Sequence, residues 1–134
     1  MKSLTETEKF AYVTIAMITL ISFMHKPPTA KETKAAQALI LSTKDLLDNY
    51  QFVMEVKSQL SHKLSQNFMQ ASDSVFDEVR AIKLRPDLAA QAIDIGVKYL
   101  RKNAKITAPK ISVIEQIAED LGIPFKTDLS FWIR

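Results

Sequence analysis

Apolar residues recur at three- to four-residue spacing along most of the chain, which is the period of an amphipathic helix. No segment alternates apolar and polar positions in the way that a half-buried strand does. The five prolines lie at the ends of the helical segments rather than within them. The pattern therefore predicts an all-α protein, a bundle of six or seven helices with negligible strand content. A chain of 134 residues is sufficient for one domain with one core, which we assign to 1–134.

The most apolar segment extends from Phe10 to His25 and predicts a core helix that is buried on nearly all sides. Thr5 and Glu8 form a capping box, so the helix is expected from about Glu6 to Met24, before a pair of prolines. A membrane anchor is the weaker alternative, because a spanning helix needs about 20 apolar residues. The same apolarity leaves a homodimer interface on this helix open.

Local signals predict where the middle helices begin and end. Thr29 and Glu32 repeat the capping box and start a helix that can break at Ser42-Thr43. The spacing then stays helical from Leu46 to Ile82, in two or more pieces. The expected interruption is 71–74, because serine and aspartate favour caps over helix interiors.

Two further helices are predicted in the last third of the chain. Pro86 marks the start of an amphipathic helix, and Thr107 with Pro109 opens the final one. Gly122 predicts a left-handed residue at its end. The apolar face of the first of these helices carries Ala89, Ala92, Gly96, Tyr99 and Leu100.

An internal repeat relates two helix pairs, about 6–44 and 86–122. When Thr29 is aligned with Thr107, at an offset of 78 residues, helices and proline-containing loops fall in matching places. The aligned apolar positions are Ile15, Ile18, Ile21, Ala36 and Leu39 against Ile93, Gly96, Tyr99, Ile114 and Ile117. We therefore expect two helix pairs of one design to build the core, with a middle helical segment between them.

This arrangement, together with the ending Ala118 to Ile123 and the loop Lys105-Ile106-Thr107, resembles the tellurite-resistance protein B-like (TerB-like) family. The resemblance implies an all-α fold in which each helix pair carries a loop with acidic residues implicated in divalent-cation binding. It also implies a role in stress response such as tellurite resistance, often with partner proteins at the inner face of a membrane.

The loops of this chain depart from the family pattern. His25-Lys26 replaces the Asp-Gly of the first loop, and Asn103-Ala104 replaces that of the second. Of the two loop glutamates only Glu32 is present, since Lys110 stands at the second position. The resemblance thus implies a degenerate site at His25, Glu32 and Asn103, and we predict no metal and no other cofactor.

Composition excludes several classes of enzyme. The chain has no cysteine, which excludes disulfides, thiol catalysis and cysteine-ligated metals. Its two glycines are too far apart for a nucleotide-binding loop. The two histidines, His25 and His62, have no second ligand at helical spacing, and no serine lies in a nucleophile elbow. We therefore predict no catalytic residue and expect a cytoplasmic protein that is not an enzyme.

Positive charge is concentrated in one quarter of the chain. Residues 80–110 hold eight Lys and Arg against two acids, whereas the segments on either side are net negative. Four cations recur at the spacing of one helical stripe: Lys98, Arg101, Lys102 and Lys105. Cations that merely solvate a helix end are the alternative interpretation.

This predicted stripe indicates an acidic partner. A protein is favoured, and an anionic membrane surface is the alternative. The resemblance leaves a divalent-cation-binding stress protein of the TerB-like kind as a further alternative. Nucleic acid is disfavoured because no aromatic residue shares the helical stripe of the cations, and because helix 107–121 carries acidic residues. Phe131-Trp132 is either part of the core or an anchor for a partner.

Overall fold

The computed structural model describes residues 3–24, 26–103 and 105–125. Within these ranges the chain forms seven helices and no strand, which confirms the all-α prediction. The helices are α1 Glu6–Phe23, α2 Ala30–Ser42, α3 Lys44–Asp48, α4 Tyr50–Gln66, α5 Phe68–Ala81, α6 Pro86–Asn103 and α7 Ala108–Leu121.

Helix α1 is the centre of the bundle. Every residue from Phe10 to Ser22 is buried, and α1 contacts α3, α4, α5, α6 and α7. The prediction of a core helix is therefore confirmed. Other helices of the same chain cover this apolar surface, and a homodimer stays a prediction. In the part of the chain that the structure describes, no helix combines the length and the apolar character needed to cross a membrane.

The predicted helix starts and ends are confirmed at several positions. In the first capping box, the Thr5 hydroxyl accepts from the Glu8 N–H at 3.1 Å and the Glu8 carboxylate accepts from the Thr5 N–H at 2.9 Å. The second box, between Thr29 and Glu32, has the same geometry. Helix α7 ends at Gly122, which adopts a φ of 75°.

The predicted interruption at 71–74 is wrong, because α5 continues through it. The break between α4 and α5 lies at Asn67, whose side chain accepts a hydrogen bond from the Gln70 N–H at 3.1 Å. Ser72 is buried and donates to the Met69 carbonyl at 3.0 Å. Its hydroxyl is thus satisfied within the helix, which removes the reason for a break at this position.

The two halves of the repeat have matching helix starts. Helix α2 begins at Ala30 and α7 begins at Ala108, and the residue before each is a threonine whose hydroxyl caps the helix. Helix α1, which precedes α2, contacts both α6 and α7, and α2 contacts α6. The pair α1 and α2 therefore packs against the pair α6 and α7, mainly through α1.

Thr14 of α1 places an unpaired polar group in the core. Its hydroxyl is fully buried and has no hydrogen-bond partner among the described residues. We expect Thr14→Val to raise the free energy of unfolding by about 1 kcal/mol, since an unpaired buried hydroxyl costs about 1–3 kcal/mol and valine has the same shape. Urea unfolding measures the change.

Thr19→Val on the same helix is the matched control. The Thr19 hydroxyl is also buried, but it donates to the Ile15 carbonyl at 2.7 Å. The same substitution here removes a hydrogen bond, so we expect a smaller gain than at Thr14, or a loss. Equal gains at the two positions would show that added apolar volume, and not the unpaired hydroxyl of Thr14, is responsible.

Candidate functional site

A cleft of about 590 Å³ lies where the loop after α1 faces the loop after α6. We call it the loop cleft. Helices α2 and α7 both begin at its wall, and their capping residues Thr29 and Thr107 line it. Its charged lining residues are Lys26, Lys31, Glu32, Lys102, Lys105 and Lys110. The internal repeat thus brings its two loops together at one site.

Glu32 and Lys110 occupy equivalent positions in the two halves of the repeat and meet across the loop cleft. The Lys110 Nζ lies 4.0 Å from the Glu32 Oε2, and each residue is only 9% exposed. Glu32 uses its other oxygen, Oε1, to accept from the Thr29 N–H at 3.1 Å and from the Thr29 hydroxyl at 3.2 Å. A lysine has no acceptor with which to close a capping box, so the Lys110 side chain is available to approach Glu32.

Both members of this pair have unused hydrogen-bonding capacity. The Glu32 Oε2 is enclosed and has no hydrogen-bond partner within the described ranges. The Lys110 backbone N–H donates to the Thr107 hydroxyl at 3.4 Å, but its ammonium makes no hydrogen bond to any described residue. The two charges therefore attract each other without direct contact.

Tyr99 lies beside the loop cleft and contacts two of its lining residues, Ser22 and Glu32. Its hydroxyl shares a hydrogen bond of 2.8 Å with the Ser22 hydroxyl, in which either can donate. Carbonyl oxygens are also within reach of this pair, that of Ile18 at 2.9 Å from Ser22 and that of Glu32 at 3.5 Å from Tyr99. Burial raises the pKa of Tyr99 above its ordinary value, because the phenolate would be poorly solvated there. The phenol thus remains a neutral group that ties α6 to α1 and α2.

The predicted stripe is divided by the structure. Helix α6 ends at Asn103, so Lys105 lies outside it, and the prediction that all four cations share one helical stripe is wrong for that residue. Lys98 pairs with Asp94 at 2.9 Å. Lys98, Arg101 and Lys102 border a groove between α2 and α6, whereas Lys102 and Lys105 line the loop cleft. Lys102 thus belongs to both surfaces.

Two other cations of residues 80–110, Arg80 and Arg85, form ion pairs. Arg80 bridges to Asp77 at 3.0 Å and to Asp120 of α7 at 3.3 Å. Arg85 pairs with Asp87 at 2.9 Å. Lys102 and Lys105, which make no ion pair with a described residue, lie near the end of α6 and line the loop cleft.

Two of the three family loop positions, Glu32 and Asn103, line the loop cleft, and His25 lies outside the described residues. Phe131 and Trp132 lie outside them as well. Sequence reasoning missed Lys26 and Lys31 as members of a site, although the repeat that places the two loops face to face could have indicated them.

The described part of the chain contains no group of three or more histidine and carboxylate side chains that could hold a metal ion. Among the described residues that line the loop cleft, five lysines face a single carboxylate, so the cleft is strongly positive. Set against protein-family models, curated proteins and solved structures, the chain matches none of them.

Proposed function

We propose that this protein is a non-enzymatic binding domain that engages an acidic protein partner through a basic surface formed by Lys98, Arg101, Lys102 and Lys105. The observation that carries the proposal is the exposure of these four side chains on adjacent parts of one face. Lys102 and Lys105 lie farther than 4.0 Å from any carboxylate of the described residues. Such a concentration of charge attracts an acidic surface and orients it.

The groove beside these cations favours a protein over a nucleic acid. Its other wall, from α2, contributes Ala35, Ala38 and Leu39, which offer apolar contact next to positive charge. A protein interface combines these two kinds of contact. The aromatic side chain of this groove, Tyr99, is buried and cannot serve as a platform for base stacking.

The finer parts of the proposal follow the TerB-like resemblance. A cytoplasmic domain with a role in stress response is supported by two equivalent helix pairs and by a last helix that ends at Leu121 before Gly122. The charge of the loop cleft favours a role other than cation binding, because five lysines surround its one carboxylate.

An anionic membrane surface is the second candidate. Ile106 is 36% exposed and follows Lys105 in the loop between α6 and α7. An exposed apolar side chain flanked by cations can enter the headgroup layer while the cations contact anionic lipid. Co-sedimentation with phosphatidylserine vesicles that is lost at high salt would favour this candidate over a protein.

The proposal is tested by reversing the charge of the basic surface. The variant carries Glu at Lys98, Arg101, Lys102 and Lys105, and it is compared with wild type in a nuclease-treated pull-down. The recovered protein is then purified and titrated in isolation. We expect the variant to bind at least about tenfold more weakly, because close charge pairs across an interface contribute on the order of 1.5 kcal/mol or more each.

A second variant controls for net charge. It carries Glu at Lys34, Lys44, Lys63 and Lys83, which are exposed and lie outside both the groove and the loop cleft. Its net charge changes by the same amount, and we expect it to retain the partner. If both variants lose the partner equally, the interaction depends on overall charge and the proposed surface is wrong.

A further inference from the structure

We propose that the loop cleft binds the phosphoryl group of a phosphate monoester. The inference goes beyond the proposed function, since it concerns a concave site that a soluble small molecule can enter. Three of its lysines, Lys26, Lys31 and Lys110, take no part in the surface proposed for the acidic partner.

The charge of the loop cleft matches that of a phosphate monoester. Five lysines and one carboxylate line it, which leaves a formal charge of plus four. A phosphate monoester carries about −1.5 to −2 charges at pH 7. Glu32, the one group that would repel it, has Oε1 bound to Thr29 and Oε2 directed at Lys110. A cation would meet the opposite situation, because the lysines would repel it.

Lys110 supplies a donor that has no acceptor. The residue is nine-tenths buried, yet its ammonium makes no hydrogen bond to any described residue and lies 4.0 Å from its counterion. An ammonium has three N–H donors, and the Lys110 Nζ, unlike the enclosed Glu32 Oε2, is accessible from the loop cleft. A phosphoryl oxygen in the loop cleft would accept from this group in a charge-assisted hydrogen bond.

The backbone also favours a phosphoryl group in the loop cleft. Helices α2, of 13 residues, and α7, of 14 residues, both begin at the loop cleft and direct the positive ends of their dipoles toward it. Helix N-termini of this kind favour phosphate oxygens. Here they reinforce the lysines, including Lys110, whose ammonium faces the loop cleft.

The dimensions of the loop cleft indicate a phosphate ester rather than a bare anion. Its volume is about 590 Å³, which lies in the range of small-molecule sites. A phosphoryl group alone would leave most of this space to water. The hydroxyls of Ser22 and Thr107 and the amide of Asn103 also line it and can contact the organic part of the ligand.

Isothermal titration with O-phosphoserine, at constant ionic strength set by chloride, tests the proposal. We expect saturable binding that weakens about tenfold or more in Lys110→Met and in Lys31→Gln, because each change removes a charged donor. Lys31 is exposed, so its substitution does not endanger folding. Lys34→Gln, one turn further along α2 and outside the loop cleft, is the matched control and should bind like wild type.

Glu32→Gln provides a prediction of opposite sign. Removing the single carboxylate of the loop cleft should strengthen O-phosphoserine binding several-fold, since it removes the one repulsive charge. Circular dichroism confirms that each variant is folded before titration. The proposal is overturned if wild type binds neither O-phosphoserine nor vesicles with phosphatidic acid, or if the binding responds equally to Lys31→Gln and Lys34→Gln.

A phosphate monoester can come from a soluble molecule or from a lipid headgroup, and vesicles distinguish the two. Phosphatidylcholine vesicles with and without phosphatidic acid present the same group on a membrane. Retention on phosphatidic acid that is lost in Lys31→Gln supports a lipid headgroup as the source, whereas binding of O-phosphoserine without retention supports a soluble ester. The double variant Lys98→Glu, Arg101→Glu should still bind O-phosphoserine or phosphatidic acid vesicles as wild type does. A failure of the proposed partner surface can therefore be distinguished from a failure of the loop cleft.

Discussion

Met17→Ala is expected to lower the free energy of unfolding by about 2–5 kcal/mol, and a further change at Gly96 is expected to recover part of the loss. Met17 is fully buried in α1, and its thioether lies against Gly96 of α6. A Cβ atom at position 96 would meet the Met17 Sδ at 2.5 Å and its Cε at 2.8 Å. The glycine therefore permits the close approach of α1 to α6, and the methionine fills the space that results.

Gly96→Ala alone combines two opposing effects. Alanine is better than glycine in a helix by about 1 kcal/mol, but an added methyl group in a filled core costs about 1–3 kcal/mol. Because Met17 is enclosed, we expect a net loss in the wild-type background. In the Met17→Ala background the clash is absent, so the same substitution should stabilise the protein by about 1 kcal/mol.

Urea unfolding of wild type, both single variants and the double variant closes the thermodynamic cycle. Ala90→Gly, at an exposed position of α6, measures helix propensity without a packing contribution. The contact between Met17 and Gly96 would be contradicted if Gly96→Ala changed stability by the same amount in both backgrounds.

Short-range features of this fold could be predicted from the sequence. The capping boxes of Thr5 with Glu8 and of Thr29 with Glu32 join residues only three positions apart, and the left-handed conformation of Gly122 depends on its own lack of a side chain. Such signals are visible wherever the partners are neighbours in the chain. They placed the ends of α1, α2 and α7 correctly.

Features that depend on neighbours distant in the chain, or on a choice between similar signals, could not be predicted. Periodicity placed Gly96 on the buried face of α6, but it carries no information that Met17 lies above it. Asn67 and the stretch 71–74 both offer side chains that can cap a helix. The sequence does not show at which of the two places the helix is interrupted. Helix α5 continues through 71–74 because Ser72 is buried and its hydroxyl donates to the Met69 carbonyl of the same helix.

The candidate site was predictable only in part. Helical spacing located the cations of α6, but it did not show that Asp94 pairs with Lys98, or that Lys105 lies beyond the helix and turns to the loop cleft. The repeat aligned Lys110 with Glu32. What it could not show is the distance to Glu32, because that depends on how two loops, 78 residues apart, face each other.

Glu32→Gln is expected to lower the free energy of unfolding by about 1–2 kcal/mol, between the values for exposed and for fully buried ion pairs, since it leaves the ammonium of Lys110 without its counterion 4.0 Å away. Glutamine retains an acceptor for Thr29, so the capping box of α2 persists and the loss reports on the charge. Lys110→Met leaves the Glu32 carboxylate uncompensated in the same way and should cost a similar amount. In the double variant neither charge remains, and we expect most of the stability to return, because a neutral pair of similar volume replaces a buried ion pair at little cost.

The surface pair of Lys44 and Asp48 is the matched control for this cycle. Its Nζ–Oδ2 distance, 2.7 Å, is shorter than the 4.0 Å between Lys110 and Glu32, but its side chains are 84% and 55% exposed. Water screens such a pair, so Lys44→Met is expected to cause no measurable loss of stability. Burial rather than distance thus decides which ion pair matters, and urea unfolding measures both cycles. If the double variant Glu32→Gln, Lys110→Met were as unstable as the sum of the single variants, the two charges would not interact across the loop cleft.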